Sequence, residues 1–282
     1  MQVVTSGRTN AIERKVRAAL RRAPKPVRQI ARDAWTLGLR VRTGGRVMLD
    51  SGLPSGGVSV CFEDLSHYRG VRRLWLYERE FTEAFLKAAS DAAVIYDVGA
   101  NVGIYSLLAA RANPAARVFA FEPEPRLTTL IARSAAANDF GGIEVKRVCL
   151  GDENGEMRLA LSGVSGHHVS TGTETDTIPT TVARIDTLVA SGQLPAPNLI
   201  KIDAEGYEYK ILDGMGDLLR THGPDIVVEI HETFMERYGD SLEKLLALMS
   251  AAGYVAVRLR QPDNGETHNV HRQSHYLFTR QG

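Results

Sequence analysis

From residue 94 to residue 279 short apolar runs alternate with stretches of helical periodicity, and few folds suit such a chain. Val94–Val98, Arg117–Phe121, Ile143–Cys149, Leu199–Ile202 and Ile226–Ile230 read as five strands. Helical faces fall between them: Tyr105–Ala112, then Leu127, Leu130, Ile131 and Ala135, then Ile211, Leu212, Met215, Leu218 and Leu219. A further helix carries Leu242, Leu245, Leu246 and Met249, with Asp240 or Ser241 as its cap and Gly253 as its stop. Strands separated by helices predict a parallel sheet covered on both faces. Tyr254–Arg260 and His275–Thr279 have only a polar loop between them, too short for a crossover helix, so they pair antiparallel. The expected fold is α/β, with a seven-stranded, mostly parallel sheet and a reversed final strand.

Residues 151–186 interrupt this alternation with Met157–Leu161, a Ser/Thr/Gly-rich stretch and Thr180–Ile185. They are expected to be strands and a loop inserted near the carboxyl edge of the sheet, where such sheets bind ligands. Residues 1–70 read as an accessory section and 71–282 as the main domain. The accessory section begins with one or two helices over 10–40, broken near Pro24 and Pro26, followed by short strands at Arg46–Asp50 and Val58–Phe62. Residues 74–89 carry a helical face of Leu74, Tyr77, Phe81, Phe85 and Leu86.

Charge is unevenly spread. Residues 1–50 hold 12 Lys or Arg against 3 Asp or Glu, whereas the whole chain has 34 against 33. A basic leader on an acidic body suits a solvated arm, a peripheral contact with an anionic surface, or nucleic acid. Trp35 is the only aromatic residue there, so the stacking platform of a single-strand binder is missing. No run approaches the roughly 20 apolar residues of a membrane span, and no secretion signal is expected, since no apolar run follows the early basic residues. Cys61 and Cys149 are the only cysteines. They make neither a disulfide framework nor a four-ligand zinc site, and a cytoplasmic setting is expected.

The first strand runs into Asp97-Val-Gly-Ala-Asn-Val-Gly103. Gly99 and Gly103 allow the backbone to bend sharply and approach a ligand. Glu122 closes the next strand, where an acid accepts hydrogen bonds from ribose hydroxyls. The spacing is G-x-x-x-G, so the G-x-G-x-x-G cradle for a pyrophosphate is absent and a nicotinamide cofactor is disfavoured. Asp97 leads the turn. Its carboxylate would repel a pyrophosphate but suits the ammonium and sulfonium of S-adenosylmethionine, or it caps the helix. Asp152 follows the third strand, where it either meets an adenine amino group or shapes a turn.

These residues, with Phe121-Glu-Pro123, Gly151-Asp-Glu-Asn-Gly155, Ile185-Asp-Thr-Leu188 and Lys201-Ile-Asp-Ala-Glu-Gly-Tyr-Glu208, resemble the FkbM-type methyltransferase family. Tyr77-Glu78 also fits, and the resemblance covers about residues 75–232. It implies a Rossmann-like class I methyltransferase fold, S-adenosyl-L-methionine as cofactor and O-methylation of a small molecule or sugar unit. By that resemblance Asp97, Gly99, Asn101, Gly103 and Glu122 hold the cofactor.

Methyl transfer to an alcohol requires an aligned acceptor and a route for its proton. The fourth and fifth strands end in Lys201-Ile-Asp203-Ala-Glu205 and Glu229-Ile-His231-Glu232. Residues two apart in a strand share a face, so Asp203, Glu229 and His231 converge beside the sulfonium site. Three readings stand: His231 as general base oriented by Glu229 or Asp203, a divalent cation held by all three, or ion pairs that steady the sheet edge. His167-His168 in the insertion could add a contact. The acceptor is expected to be oxygen, since neither an Asn- or Asp-Pro-Pro-aromatic motif nor a Pro-Cys pair is present. An RNA-modifying enzyme gripping phosphates through residues 1–50, and an adenosyl-binding module without turnover, are the rival functions.

Overall fold

The computed structural model describes residues 25–161, 167–260 and 273–280. The helix expected over 10–40 is described only from α1 (Lys25–Thr43), whose second residue is Pro26. Proline fits a first helical turn because its missing N–H has no partner there anyway. A hairpin of β1 (Arg46–Leu49) and β2 (Val58–Cys61) follows. Then come α2 (Leu65–Tyr77), capped by the Asp64 carboxylate on the Ser66 and His67 amides, and α3 (Arg79–Ala89). The chain breaks at Glu78, where a single helical face was expected, and the Glu78 side chain accepts a hydrogen bond from the Tyr105 hydroxyl at 2.6 Å.

The core sheet is made of β3 (Val94–Val98), β4 (Arg117–Phe121), β5 (Ile143–Lys146), β10 (Leu199–Asp203), β11 (Asp225–His231), β12 (Tyr254–Leu259) and β13 (Gln273–Arg280). Its order is β12-β13-β11-β10-β3-β4-β5. β13 is antiparallel to both neighbours, and the pairs from β11 across to β5 are parallel. The third strand is shorter than its apolar run suggested. β5 stops at Lys146, and Cys149–Leu150 leaves as β6 to join a separate four-stranded sheet with β7 (Gly155–Ala160), β8 (His168–Val169) and β9 (Thr177–Ala183). That small sheet is the inserted segment.

Helices α4 (Ile104–Ala112) and α5 (Pro125–Ala137) follow β3 and β4. α6 (Ile185–Ala190), α7 (Glu208–Asp213) and α8 (Gly216–Thr221) lie around β10 in sequence. The continuous helix expected after β10 is split into α7 and α8 at Gly214, where a Cβ would run into the Gly151 carbonyl. α9 (Glu232–Met235) and α10 (Leu242–Ala251) complete the set, and Ser241 caps α10 as its sequence suggested.

Two large apolar clusters occupy the two faces of the sheet. One holds Ile95, Val118, Leu199 and Val227 with α3, α4 and the hairpin, and the other holds Tyr96, Phe119, Ile200, Val228 and Leu218. The hairpin thus shares a core with the main sheet. It is tied there by Ser134 Oγ, which accepts the Cys61 amide at 2.8 Å, and by Asn138, which bonds both backbone groups of Ser59. The boundary expected near residue 70 falls inside α2.

Alternation places Asp97, Lys201, Asp203, Glu229 and His231 on the hairpin-side face, toward its carboxyl edge. Cross-strand register pairs Lys201 with Asp97, Asp203 with Glu229, and Glu229 with His275.

Candidate active site

A cleft opens over the carboxyl ends of β3, β4 and β10, walled on one side by the small sheet. Gly99, Asn101 and Glu122 line one half, and Asp203, Ala204, Glu205 and Tyr207 the other. Gly99 has φ +68°, and any Cβ there would strike the Asp203 carbonyl, so only glycine lets these two strand ends approach.

Glu122 is 5% exposed. One carboxylate oxygen accepts the Asn101 amide and the other the Glu124 amide, each at 2.9 Å. An ionised carboxylate has about four lone-pair positions, so acceptor capacity remains toward the cleft. Burial pushes this acid up to about 7. A buried acid held rigidly with acceptor capacity to spare suits a pair of ribose hydroxyls.

Three residues expected around the cofactor are placed otherwise. Asp97 has no exposed surface. It accepts hydrogen bonds from the Ser106 amide (2.9 Å) and hydroxyl (2.6 Å), and lies 3.3 Å from Lys201 Nζ. In the structure it is thus a buried counter-ion of Lys201 and an acceptor for the first turn of α4. Burial lowers the Lys201 pKa, but Asp97 and Asp203 outweigh it and hold the ammonium above its usual value. Gly103 starts α4 at φ +81°, packed against Ile131. Asp152 is absent from the cleft wall and pairs with Lys210 at 2.9 Å. The cleft is closed near that point by Cys149, whose thiol burial pushes up to about 12.

Acids and imidazoles crowd the reacting end. His231 is 2% exposed and its Nδ1 lies 3.0 Å from Glu208 Oε1. Its Nε2 is 3.8 Å from both Glu205 and Glu229, and Nδ1 is 4.0 Å from Asp203. Glu208 Oε1 also accepts the Gly206 amide at 2.9 Å and the Ala204 amide at 3.3 Å. One oxygen thus fixes both the imidazole and the turn after β10. Behind them His275 Nε2 lies 3.4 Å from Glu229.

Burial should depress the His231 pKa, but the Glu208 hydrogen bond and the surrounding carboxylates push it up to about 10. The shift favours the protonated imidazole, which weighs against His231 as a free imidazole base. Its hydrogen-bonded partner is Glu208 rather than Glu229 or Asp203. Burial and neighbouring acids raise Asp203 and Glu205, while His275, His231 and Lys201 hold Glu229 low against its burial.

Sequence reasoning left Glu208, Glu205, Glu78 and His275 without roles. Glu208 had a signal: it precedes Ile211 and Leu212 at i+3 and i+4, so an acid lies on the buried face of a helix. His275 had none, because only the β11–β13 register brings it to Glu229. His167 and His168 both line the cleft, and His168 lies 3.3 Å from Glu174.

The sheet order, the glycine turn and the acid-bearing cleft define a Rossmann-like α/β protein, a fold in which ligands generally sit at the carboxyl edge of the sheet. The chain belongs to the methyltransferase FkbM domain family, which it matches over residues 97–256. It is similar to the hexuronic acid methyltransferase AglP of Haloferax volcanii, with 34% identity over 161 residues, 55% of this chain and 62% of that one. The match thus spans about three-fifths of that relative's length. It is also similar to the 31-O-demethyl-FK506 methyltransferase FkbM of Streptomyces tacrolimicus, 25% identical over 74% of this chain and 90% of that one. Among solved structures, a methyltransferase FkbM from Methylobacillus flagellatus is 17% identical, covering 66% of this chain and 43% of that one with a TM-score of 0.46.

Proposed function

We propose that this chain transfers a methyl group from S-adenosyl-L-methionine to a hydroxyl of a sugar unit or another small natural product. The observation that carries the reading is an excess of acid. Among the described residues, Glu78, Asp203, Glu205, Glu208 and Glu229 face His231, His275 and a Lys201 that Asp97 already partners. A cleft edge so charged favours a cationic ligand, and the donor carries both a sulfonium and an ammonium.

Glu122 would accept the ribose hydroxyls, with the Gly99–Asn101 backbone beneath. When bound, the donor supplies an electrophilic methyl group. The remaining work is to align the acceptor and take its proton. Asp203 and Glu205 line the cleft, and burial holds both above the usual carboxylate range, which suits proton acceptance near neutrality. His231, fixed by Glu208, would keep those acids in place and supply positive charge beside the developing alkoxide. Names of similar proteins support the acceptor class: one acts on hexuronic acid and another on a demethylated FK506.

A second reading rests on one measurement: donor atoms of Asp203, Glu229 and His231 lie within 4.8 Å of one another. Two carboxylates and an imidazole suit a divalent cation, which would polarise the acceptor hydroxyl. Calorimetry with S-adenosylmethionine, followed by labelled methyl transfer to uronic acids and polyhydroxylated macrolides with and without chelator, tests both readings. No cofactor binding would refute the first, and activity indifferent to chelation would refute the second.

A further inference from the structure

The first described helix exposes apolar side chains. α1 carries Val27, Ile30, Leu37 and Val41 at helical spacing, 47%, 68%, 62% and 76% exposed. Ala34 continues the stripe, and Trp35 beside it is 47% exposed. The body covers a different face, since Leu39 packs against the core. Soluble surfaces carry scattered single apolar residues, but a stripe along about 21 Å of helix indicates a contact.

The charge on the same helix selects the partner. α1 contains Lys25, Arg28, Arg32, Arg40 and Arg42 against Asp33 alone, and Arg40 and Arg42 in its last turn are exposed. Residues 1–24 add six more Lys or Arg and one acid, Glu13. A second copy of the chain would bring two such helices together and set like charges face to face. Nucleic acid would satisfy the cations but leave the apolar stripe in water. An anionic lipid surface satisfies both: phosphates meet the basic groups while the stripe enters the acyl boundary. Trp35 suits that interface, having an apolar ring and a polar N–H. Among the described residues no helix is long and apolar enough to cross a membrane, so such contact would be peripheral.

We propose that α1 docks this protein on anionic membrane surfaces, lying in the interface with its Val27–Ile30–Leu37–Val41 stripe buried. The proposal does not depend on the catalytic reading.

Co-sedimentation of the full chain with vesicles tests it. The expected result is at least tenfold more protein on vesicles of phosphatidylcholine with about one-third phosphatidylglycerol than on phosphatidylcholine alone, weakened by salt. Ile30→Glu with Leu37→Glu should lower binding about tenfold, and Arg40→Glu with Arg42→Glu should erase the preference for anionic lipid. These side chains are exposed, so thermal unfolding should be unchanged and a folding defect can be distinguished. Equal binding to both vesicles, or unaltered binding by the Ile30/Leu37 variant, would overturn the proposal. So would a dimer in light scattering that this variant dissolves, or RNA binding without vesicle binding.

Discussion

His231 and Glu208 form a buried pair, Nδ1 to Oε1 at 3.0 Å, in which the acid has no exposed surface. The same oxygen binds the Gly206 amide, so the imidazolium and the turn between β10 and α7 are one unit.

This pair should make stability depend on pH in a definable window. A histidine raised from 6.5 to about 10 stabilises the fold fully below pH 6.5, and that contribution is lost as pH climbs through about 10. Melting temperature should therefore fall between those limits. Glu208→Gln should shrink the fall, because an amide still accepts from the backbone but cannot hold the proton on His231. Melting curves from pH 6 to 10.5 check this, and the idea fails if the two proteins trace the same slope.

Glu122→Gln should weaken S-adenosylmethionine binding by roughly 10- to 100-fold, the worth of hydrogen bonds to a charged acceptor. The fold should persist, since the amide oxygen can still accept one backbone N–H. Because burial raises this carboxyl to about 7, its ionised form grows through that pH. Affinity in the natural protein should rise from pH 6 to 8, and in the variant it should not. Calorimetry at several pH values measures both.

Asp97 and Lys201 should behave as a structural ion pair. Asp97→Asn or Lys201→Met alone should cost about 3–5 kcal/mol, because each strands a buried charge. The double variant should recover much of that loss. Urea unfolding of the four proteins gives the coupling, and additive losses would show that the pair is not the source of their stability.

The fold was legible where sequence carried a period. The apolar runs from Val94 to Ile230 and the short polar link before β13 gave the sheet and its reversed strand. Backbone breaks were less visible. At one split Glu78 bonds Tyr105 and at the other Gly214 approaches Gly151, long-range contacts that the local sequence does not display. Gly99, Asn101, Glu122 and Asp203 line one cleft, and Glu229 and His231 cluster with Asp203 without lining it. Asp97 and Asp152 do not join them, because cations from elsewhere, Lys201 and Lys210, claim their charges. Residue spacing along one strand cannot report a partner on another, and that is why His275 stood unassigned, whereas Glu208 was marked by its place on the buried face of α7.

Asp203→Asn should lower kcat by roughly 100-fold or more while leaving KM within a few-fold, the pattern for a group that takes a proton in the transition state. Asp203 sits at the end of β10 directly across from Glu229, and burial followed by the Glu229 charge keeps its pKa high. Glu205→Gln removes the neighbouring carboxylate on the same cleft wall, 3.8 Å from His231 Nε2. If Asp203 is the acceptor, this second variant should lose far less activity and shift the acid limb of the kcat profile downward, since one like charge has gone. If Glu205 takes the proton, the order reverses. A pH profile of kcat for both variants, with one hydroxylated acceptor at saturation, decides between them, and full activity in each would remove both carboxylates from the proton path.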